Sequence, residues 1–377
     1  MNKTELPAAL EHVFERKGHP YHMWDGILSI PNGLEDILYT QTRDEIRKAS
    51  LAVQSNPPFH LLGCGTSYFA AYTIALAIQQ IAGLPAYAWE AFEFLAYPPV
   101  DLKGSTVIGI SHSGSTPPVV RALELARERG ACTGAYTDGV SSALNRAGEW
   151  TILSTMGAEP ALPKTRSFAA TLMRGYLQAL ELGRLSQRDL IAWEAALVKS
   201  PNLADQVLAA CEPQVKDLVK RWQDVSRVVV SGGGPHLTTA QEGMLKITEA
   251  SRFNATCWEI EEAVHGTWAS TVAGDLIIIL AMDGPSYESA VRLAGGMKTI
   301  GCHVWVITNR SWNGGDVDAI TTLPEGEPEL IMPLYAIIPL YQFSYFAALA
   351  KGISPDNMRM DDPSYLDARM QMRSTMS

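Results

Sequence analysis

Short apolar runs alternate with longer stretches of helical periodicity through most of this chain. The run Ser105–Ile110 is β-branched and apolar, which is typical of a buried strand. Val119, Leu123 and Ala126 then recur at helical spacing, and Gly130 favours the end of that helix. Because strands and helices alternate in this way, the pattern predicts an α/β fold with a doubly wound parallel sheet.

The alternation occurs twice, and the second series begins near Leu203. The predicted strands are Phe59–Leu62, Pro85–Trp89 and Ser105–Ile110 in the first series, and Arg227–Val230, Leu276–Leu280 and Cys302–Thr308 in the second. This repetition predicts an internal duplication into two similar domains. The predicted order is a helical N-terminal segment, a first domain, a second domain and an extended C-terminal tail, at residues 1–50, 51–203, 204–350 and 351–377.

One segment, Leu330–Ala350, is apolar and about long enough to span a bilayer. It contains Pro333, Pro339, Gln342 and Ser344, and no pattern of positive charge flanks it. We therefore interpret it as a helix buried inside a soluble protein, and we expect no membrane association.

Composition and charge exclude some classes of protein. Hydrophobic residues make up 47% and charged residues 19% of the 377 residues, which indicates a globular chain. The formal net charge is −10 and the sequence has no basic run, so nucleic acid is not expected as a partner. An anionic ligand would therefore have to be bound by a local site, because the overall charge of the protein repels it.

The cysteines favour a reducing compartment. The five are scattered, without a Cys-x-x-Cys motif or a histidine spacing typical of zinc sites: Cys64, Cys132, Cys211, Cys257 and Cys302. Residues 1–5 contain no apolar stretch of the kind that signal peptides carry. We expect a cytoplasmic protein that needs neither a metal nor another cofactor.

The loop Ser111–Thr116 has the composition of an anion-binding site. It follows a predicted strand, contains three serines and a threonine, and leads into a helix that begins at Pro117. Free N–H groups at a helix N-terminus attract anions, and hydroxyls supply further donors. No Asp or Glu lies between Asp101 and Glu124. The alternative interpretation is an ordinary serine-rich turn.

A second loop with hydroxyls, Gly63–Ser67, follows the first strand of the same predicted sheet. Its Gly-x-Gly alone is weak support for nucleotide binding, because no acidic residue follows at the distance that a ribose requires. Thr66 and Ser67 are better suited to share one phosphate with the Ser111–Thr116 loop.

The second half carries titratable residues instead. Glu242, Lys246 and Glu249 are spaced by four and three, so they share one face of a helix. The alternative is an exposed, salt-bridged surface. His265 precedes Gly266 in a predicted loop and could act as a general acid or base near neutral pH, although an isolated loop histidine is often incidental.

These stretches together resemble the sugar isomerase (SIS) family. The chain is similar to a tandem pair of SIS domains of flavodoxin-like fold, as in the isomerase part of glucosamine-6-phosphate synthase and in fructosamine-6-phosphate deglycases. The matching stretches occur in family order: Met23–Asn32, Gly63–Ser67, Ser111–Thr116, Glu159–Phe168, Glu242–Glu249, Glu262–Gly266, Pro339–Leu340 and Lys351–Gly352.

The resemblance implies a role for each matching residue. The sugar 6-phosphate falls on Ser67, Ser111, His112, Ser113 and Thr116, and substrate binding also includes Gly65, Thr66, Thr165, Arg166 and Arg359. Glu249 matches the glutamate that moves a proton between C1 and C2, with Lys246 and Glu242 beside it. His265 matches the histidine of ring opening, which family members supply from the partner subunit of a homodimer.

The chain also departs from the family pattern. Pro363 stands where the synthase has the lysine that forms a Schiff base, Arg166 replaces a lysine, and Ser115 replaces a glutamate. A glutaminase domain is not expected in this chain. The deglycase branch resembles this chain in lacking the tail lysine.

The resemblance therefore implies an enzyme that isomerises a sugar with an anionic group at C6 through an ene-diol. The first alternative is cleavage of an Amadori-type 6-phosphofructosamine. The second is a sugar-phosphate sensor without catalytic activity.

Overall fold

The computed structural model describes residues 8–40, 42–154 and 156–374, and it divides into two compact units. The first-sheet unit comprises Ser29–Glu159 and Arg166–Pro201, with residues 368–374. The second-sheet unit comprises residues 8–28, Pro160–Thr165 and Asn202–Asp367. The described part of residues 1–50, predicted as one N-terminal segment, is therefore shared between the two units. The N-terminal residues searched for a signal peptide lie outside the described residues.

Each unit contains one parallel β-sheet. The strands, in chain order, are β1 (Phe59–Gly63), β2 (Ala86–Glu90), β3 (Thr106–Ile110), β4 (Cys132–Thr137), β5 (Trp150–Leu153), β6 (Arg227–Gly232), β7 (Asn254–Glu259), β8 (Leu276–Leu280), β9 (His303–Thr308) and β10 (Ala319–Thr322). The first sheet has the order β2-β1-β3-β4-β5 and the second β10-β9-β8-β6-β7. Read from the other edge, the second order repeats the first, which confirms the predicted duplication and the flavodoxin-like topology.

Helices connect these strands. In chain order they are α1 (His22–Leu28), α2 (Ile30–Tyr39), α3 (Thr42–Val53), α4 (Thr66–Ala77), α5 (Ala91–Ala96), α6 (Pro117–Glu128), α7 (Ala143–Ala147), α8 (Arg166–Leu185), α9 (Ile191–Trp222), α10 (Pro235–Ser251), α11 (Tyr287–Ile300), α12 (Pro333–Ala350) and α13 (Pro363–Ser374). Such helices cover both faces of a parallel sheet, so its central strands are buried and read as continuous apolar runs. Every residue of β3 and β8 is buried accordingly.

The structure differs from the sequence prediction in two regions. The helix expected from Tyr68 begins two residues earlier, at Thr66, and its last turn, Ile78–Ala82, is π-helical. The C-terminal tail, expected to be extended, contains α13. Pro363 suits the first turn of that helix, and the Asp362 carboxylate accepts the N–H of Ser364 at 3.0 Å. The sequence shows no apolar pattern that marks the start of α4 or the start of α13.

The segment Glu329–Ala350, which includes α12, is long and apolar enough by length and composition to cross a membrane. The apolar window that meets this test is entirely buried inside the protein. Its helix packs most extensively on α10 of the same unit. This burial agrees with its interpretation as a core helix.

Candidate functional site

The Ser111–Thr116 loop connects β3 to α6 and is organised by its own hydroxyls. The Ser111 and Thr116 hydroxyls lie 2.9 Å apart, and Ser111 Oγ also accepts the N–H of Gly114 at 3.2 Å. Ser113 Oγ lies 2.9 Å from Ser115 Oγ. Ser111 is buried, whereas Ser113 and Ser115 are exposed. The outer hydroxyls can therefore reach a ligand, while the inner pair fixes the loop.

Gly114 has to be glycine in this loop. Its φ of +64° lies in the left-handed region, and a Cβ there would collide with the side chain of Ser142. The sharp turn leads to Thr116, the residue before α6, with Pro117 in the first turn of the helix. The N-terminus of α6 is thus presented at the end of the loop, where its dipole favours an anion.

The second loop, Gly63–Ser67, lies at the neighbouring strand. β1 and β3 are adjacent in the first sheet, and the chain leaves them towards opposite edges, so their carboxyl ends flank a topological switch point. A Cβ on Gly63 would collide with the backbone at Ser67 and Tyr68, which explains the glycine. Thr66 and Ser67 are the first residues of α4. The structure therefore brings the two predicted anion loops to one edge of the sheet.

His112 is held by protein partners on both sides of its ring. Its Nδ1 pairs with Asp138 Oδ2 and lies 2.9 Å from Ser167 Oγ, and its Nε2 lies 3.4 Å from the N–H of Glu159. The Ser167 hydroxyl also donates to the Glu159 carboxylate. The ring therefore supports the loop, and the predicted role of His112 in binding the phosphate stays a prediction.

Asp138 and Arg174 complete this support, and sequence reasoning missed both. The buried Arg174 guanidinium lies 3.1 Å from Asp138 Oδ1. Burial alone would raise the pKa of Asp138, but Arg174 and His112 lower it below its usual value, so Asp138 stays ionised. Two signals were available: Asp138 directly follows β4, and Arg174 is a charged residue among the mostly apolar residues 168–177 of α8.

The Glu159–Ser167 stretch is divided between the units. The Glu159 carboxylate accepts the N–H groups of Arg166 at 3.2 Å and Ser167 at 2.7 Å. The Arg166 guanidinium donates to the carbonyl of Gly157 at 2.8 Å. Thr165 is buried and belongs to the second-sheet unit, whereas Arg166 belongs to the first-sheet unit. The Arg166 guanidinium is therefore held by a backbone carbonyl, and its role in substrate binding stays a prediction.

The predicted stripe on α10 is a buried acid–base cluster. Lys246 Nζ lies 2.5 Å from Glu249 Oε2 and 3.6 Å from Glu242 Oε1. The side chains of Lys246 and Glu242 are 2% and 0% exposed, and that of Glu249 is 14% exposed. The alternative of a solvated, salt-bridged surface is therefore wrong for this stripe. Glu249 alone of the three retains appreciable access to solvent.

Tyr341 on α12 joins this cluster and was not predicted. Its hydroxyl donates to Glu242 Oε1 at 2.9 Å, and both residues are fully buried. A buried carboxylate needs such partners, because an unpaired charge in the interior is costly. The pairing joins residues 99 positions apart in the chain, so helical spacing alone could not reveal it.

His265 is exposed and lies in a short 3-10 turn, Glu262–His265. Within the described part of the chain, no hydrogen bond or ion pair joins it to the α10 cluster. Its neighbours Val264 and Trp268 are 40% and 44% exposed. The structure thus brings Glu242, Lys246 and Glu249 together and places His265 at the surface.

The contacts of the C-terminal tail are structural, although the resemblance implies that its Arg359 binds the substrate. The Asp356 carboxylate accepts the N–H groups of His22 at 2.9 Å and Met23 at 2.8 Å, which caps α1. Arg359 has a positive φ of 63°, and its guanidinium stacks 3.9 Å from the centre of the Tyr365 ring. Its predicted role in substrate binding stays a prediction.

Residues 59–180 match the family model of the SIS domain. This part of the chain is a SIS domain. It contains both hydroxyl loops, the Asp138–Arg174 pair and most of α8. The second-sheet unit repeats the strand order of this SIS domain, although the family match does not extend to it.

Known proteins of similar sequence contain an isomerase part. The chain is 27% identical over 359 residues to the glutamine–fructose-6-phosphate aminotransferase (isomerizing) of Pyrobaculum aerophilum. The alignment covers 94% of this chain but 59% of that relative. The chain therefore spans little more than half the length of the relatives it matches.

Solved structures share the tandem SIS fold. The C-terminal domain of glucosamine-fructose-6-phosphate aminotransferase from Francisella tularensis superimposes with a TM-score of 0.83 at 19% identity, covering 91% of this chain and 99% of that one. Tagatose-6-phosphate ketose/aldose isomerase from Escherichia coli has a TM-score of 0.76 at 17% identity, covering 91% and 96%. These similarities establish the architecture of both sheets.

Proposed function

We propose that this protein is a phosphosugar isomerase-type enzyme that binds an open-chain sugar with an anion at C6 and moves a proton between C1 and C2. The observation that supports this most is the buried Glu242–Lys246–Glu249 cluster, with Glu249 as its accessible end. The hydroxyl loops at the β1–β3 switch point support binding of the anion. The names of the similar proteins agree with a phosphosugar substrate.

In this proposal Glu249 is the base. It takes the proton from C2 of an aldose while O1 gains a proton, which leaves an ene-diol. It then returns a proton to C1 while O2 loses its proton, which gives the ketose. Lys246 Nζ lies 2.5 Å from this carboxylate and holds it in place. On the buried side Glu242 pairs with Lys246, and Tyr341 in turn donates a hydrogen bond to Glu242. The reaction needs no cofactor, because the proton is returned and no electrons are lost.

The deciding experiment is a panel of 6-phosphosugars in deuterated water followed by NMR. An isomerase converts one of them and places deuterium at C1 or C2. If the protein binds sugar phosphates but never exchanges that hydrogen, the isomerase proposal fails and the sensor proposal replaces it.

Deglycase activity is the second candidate. Pro363, the first residue of α13, occupies the position of the tail lysine that the resemblance assigns to Schiff-base formation. Adding 6-phosphofructosamines to the same panel tests it, since release of the free amine would favour a deglycase over an isomerase.

We also propose a cytoplasmic homodimer in which His265 acts in the active site of the partner subunit. The exposed Val264 and Trp268 beside His265 support this, because large apolar groups at a surface are common at interfaces. The five cysteines are free thiols, as a reducing compartment would keep them. Mixing inactive Glu249→Gln and His265→Ala proteins should restore partial activity, whereas an active monomer in sedimentation would contradict the dimer.

A further inference from the structure

The C-terminal tail contacts the end of α10 at two consecutive residues. Lys351 Nζ donates to the carbonyl of Ser251 at 3.0 Å, and Asp361 Oδ1 accepts from Arg252 Nη2 at 2.6 Å. The lysine contact is favourable because the last carbonyls of a helix carry partial negative charge. The tail therefore holds the end of α10 at two points ten residues apart. We call residues 351–361, which belong to the second-sheet unit together with α10, the clasp.

The backbone is unusual on both sides of this contact. Arg252, which ends α10, has a φ of +58°, and Met358 and Arg359 in the clasp have φ values of +47° and +63°. Only one other residue besides glycine has a positive φ in the part of the chain that the structure describes. A Cβ disfavours this conformation, so it persists only where the surrounding structure imposes it. Backbone strain is thus concentrated where the clasp meets α10.

The clasp is itself fixed between its two contacts with α10. The carboxylate of Asp356 caps α1, and its carbonyl accepts the N–H of Leu162 at 2.9 Å. Asn357 Oδ1 accepts the N–H of Arg359 at 3.0 Å, and Met360 is buried in a small apolar cluster. A segment held in this way can restrain the end of α10, although a partly exposed ion pair contributes little stability by itself.

We propose that the clasp positions Glu249 for proton transfer, with Asp361 as the positioning residue. Glu249 lies in the last turn of α10, three residues before Arg252. Without the Asp361 carboxylate the left-handed conformation at Arg252 loses a restraint, and the last turn of the helix can shift. A misplacement of about 1 Å can lower a rate by roughly 10²-fold. This inference rests on the proposed function, in which Glu249 is the base.

Asp361→Asn tests this role by steady-state kinetics on the substrate that the 6-phosphosugar panel identifies. Its kcat should fall by about 10- to 100-fold, because the base is misplaced. Its KM should change by less than about twofold, because the clasp acts on the base and not on substrate binding. The melting temperature should stay close to that of the wild type, since the pair is partly exposed.

Asp25→Asn is the matched control. The pair of Arg16 and Asp25 is also 2.6 Å long, is similarly exposed and belongs to the same unit. Its loss should leave both kcat and KM at the wild-type values. In an active enzyme, a kcat of Asp361→Asn equal to that of this control overturns the proposal.

Adding Arg252→Gly to Asp361→Asn separates positioning from direct contact with the substrate. Glycine adopts the left-handed conformation without strain, so it does not need the ion pair to keep it there. The double variant should therefore recover most of the kcat that Asp361→Asn loses. Equal impairment of the single and the double variant would show that Asp361 does not act through the end of α10.

Hydrogen exchange of residues 248–253, followed by mass spectrometry, makes the test independent of the reaction. Asp361→Asn should speed exchange there, and Asp25→Asn should not, because only the first loosens the end of α10. If the wild-type protein converts no member of the panel, the proposed function fails and exchange alone decides on the clasp. Faster exchange in Asp361→Asn then supports the clasp, and exchange equal to that of the control overturns it.

Discussion

The two sheets have the same strand order but opposite chemistry at their carboxyl edges. The edge of the first sheet presents hydroxyls from Ser113, Ser115 and Thr116, and its loop contains no carboxylate. At the corresponding edge of the second sheet, Asp283 follows β8 and Glu329 lies nearby. Asp283 pairs with Arg310 at 2.8 Å, so this edge carries an ion-paired carboxylate where the first edge offers hydroxyl donors to an anion.

One polar residue near the second edge is inaccessible to a ligand. His236, at the start of α10, is fully buried. Burial lowers its pKa to about 3, so the ring is neutral. The second-sheet unit instead carries its titratable groups on the side of α10. The duplication has therefore kept the strand order of the sheet, but it has not kept the same side chains at the carboxyl ends of the strands.

Replacing Glu249 with glutamine tests whether the second unit supplies the chemistry, and it has the largest expected effect. Glutamine keeps the shape but cannot accept the proton, so turnover should fall by about 10²–10⁴-fold. Deuterium exchange at C1 or C2 should disappear while sugar-phosphate affinity is kept. Glu288→Gln, at an exposed position of α11, is the control. Turnover equal to that of the control would remove Glu249 from the mechanism.

Replacing Ser113 with alanine tests whether the first unit supplies the binding. A hydrogen bond to a charged group is worth about 1.5–3 kcal/mol, so affinity for a 6-phosphosugar should fall by roughly tenfold or more. Calorimetry measures it, with Ser186→Ala at an exposed position as the control. Unchanged affinity would mean that the loop is the serine-rich turn considered above.

Tyr341→Phe tests the buried side of the α10 cluster. The change removes the hydroxyl that donates to Glu242 Oε1, so the protein should lose about 1–3 kcal/mol of stability. Tyr335→Phe is a matched control on the same helix, since its buried hydroxyl has no hydrogen-bond partner among the described residues. Thermal melts of both should separate them, and an equal loss would show that the Tyr341 hydroxyl contributes nothing.

Glu329→Gln probes the acidic edge of the second sheet, with the smallest expected effect. Burial, and then repulsion by Asp283, raises the pKa of Glu329 from 4.5 to about 7. The folded state therefore keeps a proton that the unfolded chain releases. The stability this proton adds is complete below pH 4.5 and is lost as the pH rises towards 7.

The glutamine variant cannot undergo this loss. Between pH 4.5 and pH 8 its stability should rise relative to wild type by about 1 kcal/mol, a value reduced for solvent screening at this partly exposed carboxyl. Melting curves across this range measure the difference. Glu325→Gln, at an exposed position nearby in the chain, should follow the wild type at every pH. A Glu329 variant that also follows the wild type would disprove the raised pKa.

Patterns that depend on neighbouring residues were predictable from the sequence. The apolar run Leu276–Leu280 coincides with β8, and the Ser111–Thr116 loop lies between a strand and a helix as expected. Their signals are local, because burial on both faces of a sheet leaves a continuous apolar run. The helical spacing of Glu242, Lys246 and Glu249 likewise placed them on one face.

Spacing could not show what covers that face. Whether the stripe is solvated or buried depends on Tyr341 and α12, which come about a hundred residues later in the chain. The support of His112 by Asp138 and Arg174 is equally non-local. Sequence reasoning thus found the residues that carry charge or hydroxyls, and it missed the partners that decide how those residues are used.

The Asp356 cap of α1 has a consequence for how the chain folds during synthesis. The carboxylate binds the N–H of Met23, a residue 333 positions earlier, so α1 can be capped only after Asp356 has been made. Most of the first-sheet unit, by contrast, lies in Ser29–Glu159 and Arg166–Pro201, which are made earlier. Contacts between residues so far apart in the chain form slowly, so α1 stays uncapped until the intervening residues have been synthesised.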